Sequence, residues 1–311
     1  MKMKISIIGA GFVGATTAQR IWEKNLGDVF LYDIVEDMPQ GKALDMMESA
    51  PLLGVESKIV GTNRFEDCQN SDIFIITSGL ARQPGMSRDD LLNRNAEIVS
   101  GIAENIQRFS QDSIIIVVSN PVDVLTYLMA YKTKFPKNRV MGMAGVLDSA
   151  RFRYFIAEEL GIAPQEVQAM VLGGHGDEMV PLSRFATVSG VGIEHFLPRE
   201  KIDQLIKRTR EGGAEIVKLL KKGSAYYAPS AAIMEMVESI VKDQKRLLPC
   251  SAWCEGQYGI HDQYVGVPVI LGKNGIEKIV ELPLTGKELG ELQESARHLA
   301  ANIAKLNLSH R

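Results

Sequence analysis

The first half of the chain alternates short, continuous apolar runs with segments whose apolar residues recur at helical spacing. The helical segments are "FVGATTAQRIWEK" (12–24) and "MPQGKALDMMES" (38–49). The predicted strands are 4–9, 28–33, 58–62, 72–77, 113–119 and 139–143. Continuous apolar strands separated by helices are typical of a parallel sheet that is covered on both faces. Right-handed crossovers then predict a Rossmann-type, doubly wound α/β domain that ends near residue 145.

The second half has a different pattern, in which helices are longer and strands are fewer. It opens with a predicted helix over 146–161, followed by the glycine-rich stretch "LGGHGDEMVP" (172–181). A final helix from about 286 to 308 starts with a capping box formed by Thr285 and Glu288. Between these segments, helices are predicted at 198–221 and 229–242. Short strands are predicted at 247–254, 262–265 and 267–271, with turn signals such as Gly266 between them. This half therefore reads as an α+β domain.

Length and composition limit the class of protein. A chain of 311 residues suits two domains, here 1–145 and 146–311, and a cleft between them is a reasonable place for a site. The net charge of -3 gives no basic stripe of the kind that nucleic-acid binding needs. No apolar run reaches the ~18 residues of a membrane span, and "MKMKISIIG" lacks a signal-peptide pattern. We expect a cytoplasmic protein with no nucleic-acid or membrane partner.

The three cysteines, Cys68, Cys250 and Cys254, suit a reducing compartment. His261 follows the last two closely, so a metal site has to be considered. The spacing matches no common zinc pattern and no fourth ligand is apparent. We expect buried structural thiols and no bound metal.

The motif "GAGFVG" follows the first strand, opens the first helix, and precedes Asp33 at the end of the second strand. In this context Gly9 permits a tight turn, Gly11 lets the backbone approach a pyrophosphate, and Gly14 lets helix and strand pack closely. The helix N-terminus would hold the phosphates. Asp33 would bind the adenosine ribose and repel a 2′-phosphate, which favours NAD over NADP. The alternative is a plain glycine turn with a capping aspartate. The predicted cofactor residues of this turn are Gly9, Ala10, Gly11, Phe12, Val13 and Gly14.

A second cluster of candidate residues lies in the other half of the chain. Asp148 and Arg151 are three residues apart on a predicted helix and so share a face. His175 lies in a loop among three glycines, which permit tight backbone geometry near a ligand. An acidic partner such as Asp148 would raise the pKa of His175 and make it an acid–base group near neutral pH. Arg151 could bind a carboxylate with two parallel hydrogen bonds. A lone histidine is otherwise more often structural or simply exposed.

Five separated blocks, in order, resemble the signatures of the lactate/malate dehydrogenase superfamily. They are "IIGAGFVG", "ARQPGMSRDDLL", "VSNPVDVLTY", "GVLDSARFR" and "GGHGDEMVPL". The resemblance spans nearly the whole chain and is strongest to the lactate-dehydrogenase-like branch that acts on malate. It implies reversible oxidation of (S)-malate to oxaloacetate with NAD, within the tricarboxylic acid cycle, by a homodimer or homotetramer.

The resemblance also implies a role for each matching residue. His175 would accept the hydroxyl proton, Asp148 would orient it, and Arg151 would bind the C1 carboxylate. Arg88 would polarise the C2 oxygen once the loop closes, and Asn120 would hydrogen-bond the substrate near the nicotinamide. The cofactor positions that the resemblance adds are Asn95, Val118, Ser119 and Asn120.

Arg82 is the residue that the resemblance makes decisive for the substrate. Relatives acting on lactate usually have a neutral glutamine there, whereas an arginine suits a second carboxylate. Ala225, in "GSAYYAPSAA", would leave room for the longer dicarboxylate. Gln83 departs from the Lys or Arg of many relatives, which affects only the local charge. The alternatives are a lactate dehydrogenase and, in another class, a catalytically silent NAD-binding or structural protein.

Overall fold

The computed structural model describes residues 2–80, 87–306 and 308, with the side chain of Arg88 left aside. Strands and helices alternate in the first half, as the apolar pattern predicts. The strands are β1 (Lys4–Ile8), β2 (Asp28–Tyr32), β3 (Ile59–Thr62), β4 (Ile73–Ile76), β5 (Ile114–Val117) and β6 (Val140–Gly142). The helices are α1 (Phe12–Glu23), α2 (Met38–Glu48), α3 (Ala50–Leu53), α4 (Arg88–Phe109) and α5 (Val122–Thr133).

The second half combines long helices with small antiparallel pairs and one long hairpin. Its helices are α6 (Gly145–Leu160), α7 (Arg199–Leu220), α8 (Tyr227–Val241) and α9 (Gly286–Ala304). Its strands are β7 (Val167–Gln168), β8 (Val171–Gly173), β9 (Met179–Pro181), β10 (Thr187–Val188), β11 (Val191–Gly192), β12 (Arg246–Glu255), β13 (His261–Gly272) and β14 (Gly275–Ile279). No helix in the described part of the chain is both long and apolar enough to cross a bilayer.

One nine-stranded sheet runs through both halves, in the order β14-β13-β12-β6-β5-β4-β1-β2-β3. The six strands of the first half are parallel, and β12 joins them antiparallel through the pair Ser251 and Gly142. The strand order reverses between β1 and β4, where a doubly wound sheet opens a crevice at the carboxyl ends of its strands. The glycine turn predicted to bind the cofactor leaves β1 at this point. The domain boundary near residue 145 stays a prediction, and α6 begins at Gly145.

The central parallel strands are apolar because helices bury both faces of the sheet. β4 and β5 are buried at every position. The main core continues from these strands into β12, β13, α8 and α9. A smaller core lies between α6, α7 and the strands β7 and β8, and contains Phe152, Phe155 and Ile202. The two halves therefore share their principal core.

The strand prediction for 262–265 and 267–271 is wrong in one respect, because β13 is continuous over His261–Gly272. Gly266 was expected to mark a turn, yet a Cβ at Gly266 would lie 2.3 Å from Gly173 O. The glycine is needed for the close approach of β8, which precedes the His175 loop. The capping box of Thr285 and Glu288 is confirmed at the start of α9.

Candidate active site

The turn after β1 is tight around its first and last glycines. Gly9 has a φ of +111°, a conformation that favours glycine, and a Cβ at Gly14 would lie 1.8 Å from Gly9 O. At Gly11, an added Cβ would meet no atom within 4 Å. Gly11 also caps α1 without a side-chain hydrogen bond. The N-terminus of α1 thus has open space and unsatisfied N–H groups, as phosphate binding requires.

Asp33 follows β2 and lies directly beside this turn. Its Oδ2 accepts a hydrogen bond from the Ala10 N–H at 2.7 Å, and its Oδ1 accepts one from Val35 N at 3.0 Å. Lys42 Nζ, from α2, donates to Ala10 O at 2.5 Å. Each carboxylate oxygen keeps further acceptor capacity. The groups present therefore fit the adenosine ribose and pyrophosphate of NAD.

A cleft of about 610 Å³ joins the glycine turn to the second half of the chain. The predicted site residues that line it are Gly11, Phe12, Val13, Gly14, Asn95, Val118, Ser119, Asn120, Arg151 and His175. Ala225 lines it as well, on the segment before α8. Gly9, Ala10, Asp33 and Asp148 are not part of its lining; Asp33 is hydrogen-bonded to Ala10 N and Asp148 to His175 Nδ1. The fold thus brings together two clusters that lie more than 100 residues apart in the chain.

A larger hollow, of about 1100 Å³, lies between α4, α5 and the C-terminal residues Leu306 and Leu308. Its lining includes Glu97, Glu104 and Lys132 but none of the predicted site residues. The chemistry of the candidate site therefore belongs to the smaller cleft.

His175, which lines the cleft, forms a hydrogen-bonded pair with the buried Asp148. His175 Nδ1 and Asp148 Oδ2 are 2.8 Å apart, and the Asp148 side chain is only 2% exposed. Burial disfavours the charged imidazole, but the charge and hydrogen bond of Asp148 outweigh it and raise the pKa of His175 above its ordinary value. A neutral imidazole whose Nδ1–H donates to a carboxylate presents its Nε2 lone pair to the cleft. This is the geometry of an acid–base group.

Arg151 lies one helical turn after Asp148 on α6. Its Nη1 donates to Asp148 Oδ1 at 3.2 Å, while its buried Nε has no hydrogen-bond partner among the described residues. A Cβ at Gly212 of α7 would lie 3.2 Å from Arg151 Cδ, so the glycine leaves room for the arginine. A buried, unsatisfied guanidinium N–H beside a cleft is suited to an anionic ligand.

The residues after β5 are connected to the other strand ends by hydrogen bonds. The Asn95 side chain donates to Asn120 O at 2.8 Å and accepts from Leu80 N at 2.8 Å. Ser119 Oγ donates to Ser78 O at 2.5 Å. The Asn120–Pro121 peptide is cis, and Asn120 is exposed to the cleft. In this arrangement Asn95 and Ser119 fix the main chain of the cleft, and Asn120 has an exposed side chain that lines it.

Of the two arginines of "ARQPGMSRDD", the structure describes only the main chain of Arg88. Arg82 lies outside the described residues. Arg88 begins α4, directly after the Ser87 N-cap, whose capping box with Asp90 is formed. The roles given to Arg82 and Arg88 stay predictions.

Three residues of the site were missed by the sequence reasoning. Thr77 lines the cleft and donates to Gly9 O at 3.0 Å. Gly212 accommodates Arg151, and a glycine pair inside a helical pattern is an unfavourable feature that could have signalled a close approach. Asp123, buried on α5, accepts a hydrogen bond from His175 N at 3.0 Å. Its position in the first turn of a helix gave no signal beyond helix capping.

Cys68, Cys250 and Cys254 are free and buried. Burial raises the pKa of the Cys254 thiol to about 12 and that of Cys250 above its ordinary value. Across the described residues, no group of three or more His, Cys, Asp or Glu side chains is placed to hold a metal ion. Buried thiols of this kind are chemically inert.

Comparisons with known proteins relate both halves to one family. A family model for the lactate/malate dehydrogenase NAD binding domain matches residues 3–142, and one for the lactate/malate dehydrogenase alpha/beta C-terminal domain matches residues 145–308. Over 306 residues the chain is 53% identical to a protein named malate dehydrogenase from Roseiflexus castenholzii (strain DSM 13941 / HLO8), covering 98% of this chain and 99% of that protein. A malate dehydrogenase of Chlorobium phaeobacteroides (strain BS1) is 54% identical over 305 residues, with 98% of both chains covered.

Solved structures give the same relationship. The crystal structure of Cryptosporidium parvum malate dehydrogenase has a TM-score of 0.96 at 45% identity, covering 98% of this chain and 99% of that one. The lactate dehydrogenase of the same organism, solved with lactic acid and nicotinamide adenine dinucleotide, has a TM-score of 0.96 at 41% identity, with 99% of both chains covered. The predictions of fold class and of NAD as cofactor are thereby confirmed. In both its halves, this chain belongs to the lactate/malate dehydrogenase family of NAD-dependent oxidoreductases.

Proposed function

We propose that this enzyme catalyses the reversible oxidation of (S)-malate to oxaloacetate, with His175 and Asp148 as its acid–base pair. The observation that carries the proposal is the 2.8 Å contact between His175 Nδ1 and Asp148 Oδ2 in the cleft that the glycine turn also lines. The names of the relatives that are 53% and 54% identical support malate as the substrate.

The residues of the cleft divide the work of the reaction. When bound, NAD supplies the acceptor that takes the C2 hydrogen of malate with its bonding electrons. His175 Nε2 accepts the hydroxyl proton, and Asp148 stabilises the imidazolium that results. Arg151, whose Nε lacks a partner in the described residues, holds the C1 carboxylate. In the reverse direction, protonated His175 donates to the carbonyl oxygen of oxaloacetate.

Cofactor and substrate are held in place by different parts of the site. The glycine turn and Asp33 bind the pyrophosphate and the adenosine ribose, and Asn120 contacts the substrate near the nicotinamide. Arg88 stabilises the negative charge that develops on the C2 oxygen. Fixing both reactants in one geometry removes much of the entropic barrier.

Selection of a dicarboxylate is assigned to Arg82, with Ala225 providing space. Ala225 lines the cleft, while Arg82 falls outside the described residues, so its role rests on the family resemblance. A lactate dehydrogenase is the nearer alternative, since a lactate dehydrogenase structure matches the fold as well as a malate dehydrogenase structure does.

We also expect a cytoplasmic protein that forms a homodimer or homotetramer. Light scattering after size exclusion would test the oligomeric state.

The test is a comparison of kcat/KM for oxaloacetate and for pyruvate, with NADH, on the purified protein. We expect a strong preference for oxaloacetate, and loss of turnover in His175→Asn with NADH binding retained. A preference for pyruvate would overturn the assignment of malate as the substrate but leave the proposed acid–base pair unchanged. Binding of NADH without turnover of either ketoacid would favour the silent NAD-binding protein instead.

A further inference from the structure

His175 is held by a second buried carboxyl group, at a point other than its ring. Asp123 is 2% exposed, and its Oδ2 accepts a hydrogen bond from the His175 N–H at 3.0 Å. Asp148 contacts Nδ1 of the same residue at 2.8 Å. The main chain and the imidazole of His175 are therefore fixed by carboxyl groups from two different helices, α5 and α6.

The surroundings of Asp123 provide little other stabilisation for a negative charge. His175 and Asp148 are among the charged groups that face it. Its Oδ1 is buried and lacks a hydrogen-bond partner within the described chain, as does the nearby Ser251 Oγ on β12. Burial raises the pKa of Asp123, and the His175 N–H that donates to its Oδ2 only partly counters this.

A role as an ordinary helix cap does not account for these features. Asp123 lies in the first turn of α5, where the helix dipole favours an acidic side chain. Capping acids of this kind are normally solvated, whereas this one is buried and bonds to a residue 52 positions away. A buried carboxyl group is costly unless a compensating partner is present. Among the described residues, His175 is in contact with it and can gain and lose a positive charge.

The charges around His175 also link Asp123 to the protonation of His175. The charged groups that face His175 are Asp148, Arg151 and Asp123. Arg151 already neutralises Asp148, at 3.2 Å. With Asp123 ionised, the formal charges of this buried set cancel only when His175 is protonated.

We propose that Asp123 is a positioning residue for the acid–base step: it fixes the main chain of His175 and shares the positive charge that His175 carries after accepting a proton. This inference rests on the proposed role of His175. It predicts two separable effects. Loss of the hydrogen-bond acceptor should displace His175, and loss of the negative charge should change the pKa of His175.

Two substitutions at Asp123 and one matched control separate these effects. Asp123→Asn keeps the shape and an acceptor oxygen but removes the charge, and Asp123→Leu removes both. Thr126→Val is the control, because Thr126 is buried one turn later on α5 and its hydroxyl donates to Val122 O within the helix, at 2.7 Å.

The readouts are the pH profile of kcat/KM for oxaloacetate and an NMR titration of the histidine rings. The chain has 5 histidines, so His175→Asn identifies the signal of His175. We expect Asp123→Asn to lower the pKa of His175, and to shift the profile to lower pH, because a nearby negative charge is lost. Asp123→Leu should lower kcat about 10²-fold by displacing the base, with NADH affinity unchanged. Thr126→Val should change neither quantity.

The proposal is overturned if the pKa of His175 in Asp123→Asn equals its pKa in Thr126→Val. It is also overturned if Asp123→Leu retains the wild-type kcat. If Asp123→Leu does not fold, the titration of His175 in Asp123→Asn still tests whether Asp123 stabilises the positive charge of His175. Absence of turnover in the wild-type enzyme would instead count against the proposed function, which the NMR titration does not depend on.

Discussion

Asp148 Oδ2 lies 2.8 Å from His175 Nδ1, although the two residues are 27 positions apart in the chain. The β8–β9 hairpin that carries His175 is attached to α6, which carries Asp148. Val171 N at the start of β8 donates to Ser149 Oγ of α6 at 2.9 Å. The loop that carries His175 is thus anchored, through the start of β8, to the helix that carries Asp148.

Asp148→Asn should impair catalysis without unfolding the protein. The amide removes the charge that raises the pKa of His175, so that pKa falls and the imidazolium loses its counter-ion. We expect kcat for oxaloacetate reduction to fall by about 10²-fold or more, as for the loss of a working general acid. Steady-state kinetics with NADH measures this. Asp203→Asn, an exposed acid of α7 that pairs with Arg199, is the control and should keep wild-type rates.

The two directions of the reaction should have opposite pH dependence. Reduction of oxaloacetate needs protonated His175, so its kcat/KM should fall tenfold per pH unit above the pKa of that residue. Oxidation of malate needs the neutral ring and should fall below the same pKa. Because Asp148 raises this pKa, both limbs should lie above the ordinary histidine value of about 6.5. Limbs that turn below pH 6 in both directions would contradict the assignment of His175.

Alanine at Gly11 and at Gly14 should have different effects. Gly11 has a φ of -66°, and a Cβ there would meet no atom within 4 Å. Gly11→Ala should therefore keep the melting temperature while weakening NADH binding about tenfold or more, because the methyl group occupies the space of the pyrophosphate. Gly14→Ala places a Cβ 1.8 Å from Gly9 O and should cost about 1–3 kcal/mol of stability. Thermal melts and NADH fluorescence titrations distinguish the two. Equal loss of stability in both variants would show that Gly11 has a structural role only.

Arg82→Gln should move the substrate preference toward pyruvate. Removing a cation that pairs with the second carboxylate could change the ratio of kcat/KM values for oxaloacetate and pyruvate by up to about 10⁴-fold. Gln83→Ala, at the neighbouring position, is the control for general disturbance of the segment. An unchanged ratio in Arg82→Gln would move the source of specificity to another part of the cleft, such as Ala225.

Much of the fold could be predicted because the parallel strands are continuous apolar runs, bounded by polar turns. Prediction from the local pattern fails at glycine, because a glycine can be required either by a turn or by the close approach of another strand. The local pattern predicts a turn at Gly266, but this glycine lies within β13, where the backbone of Gly173 comes too close for a side chain. A local pattern cannot distinguish a glycine required by conformation from one required by a neighbour that is distant in sequence.

The candidate site was predictable to a different degree in each half. The glycine turn and Asp33 follow from local sequence, because phosphate binding at a strand-to-helix turn needs a fixed spacing. The pairing of Asp148 with His175 depends on tertiary packing. The residues alone indicated only that an acid such as Asp148 would suit His175, and the resemblance to a family assigned the pair. Asp123 could not be recognised because its burial and its bond to His175 N exist only in the folded chain.

The antiparallel pairing of Ser251 with Gly142 places β6 in the interior of a sheet rather than at its edge. A fragment cut after the first half would expose the unpaired N–H and C=O groups of β6, and such open edges promote aggregation. The intact chain should instead melt in a single step. NADH, although it binds at the glycine turn, should then raise the melting midpoint of the whole chain by mass action.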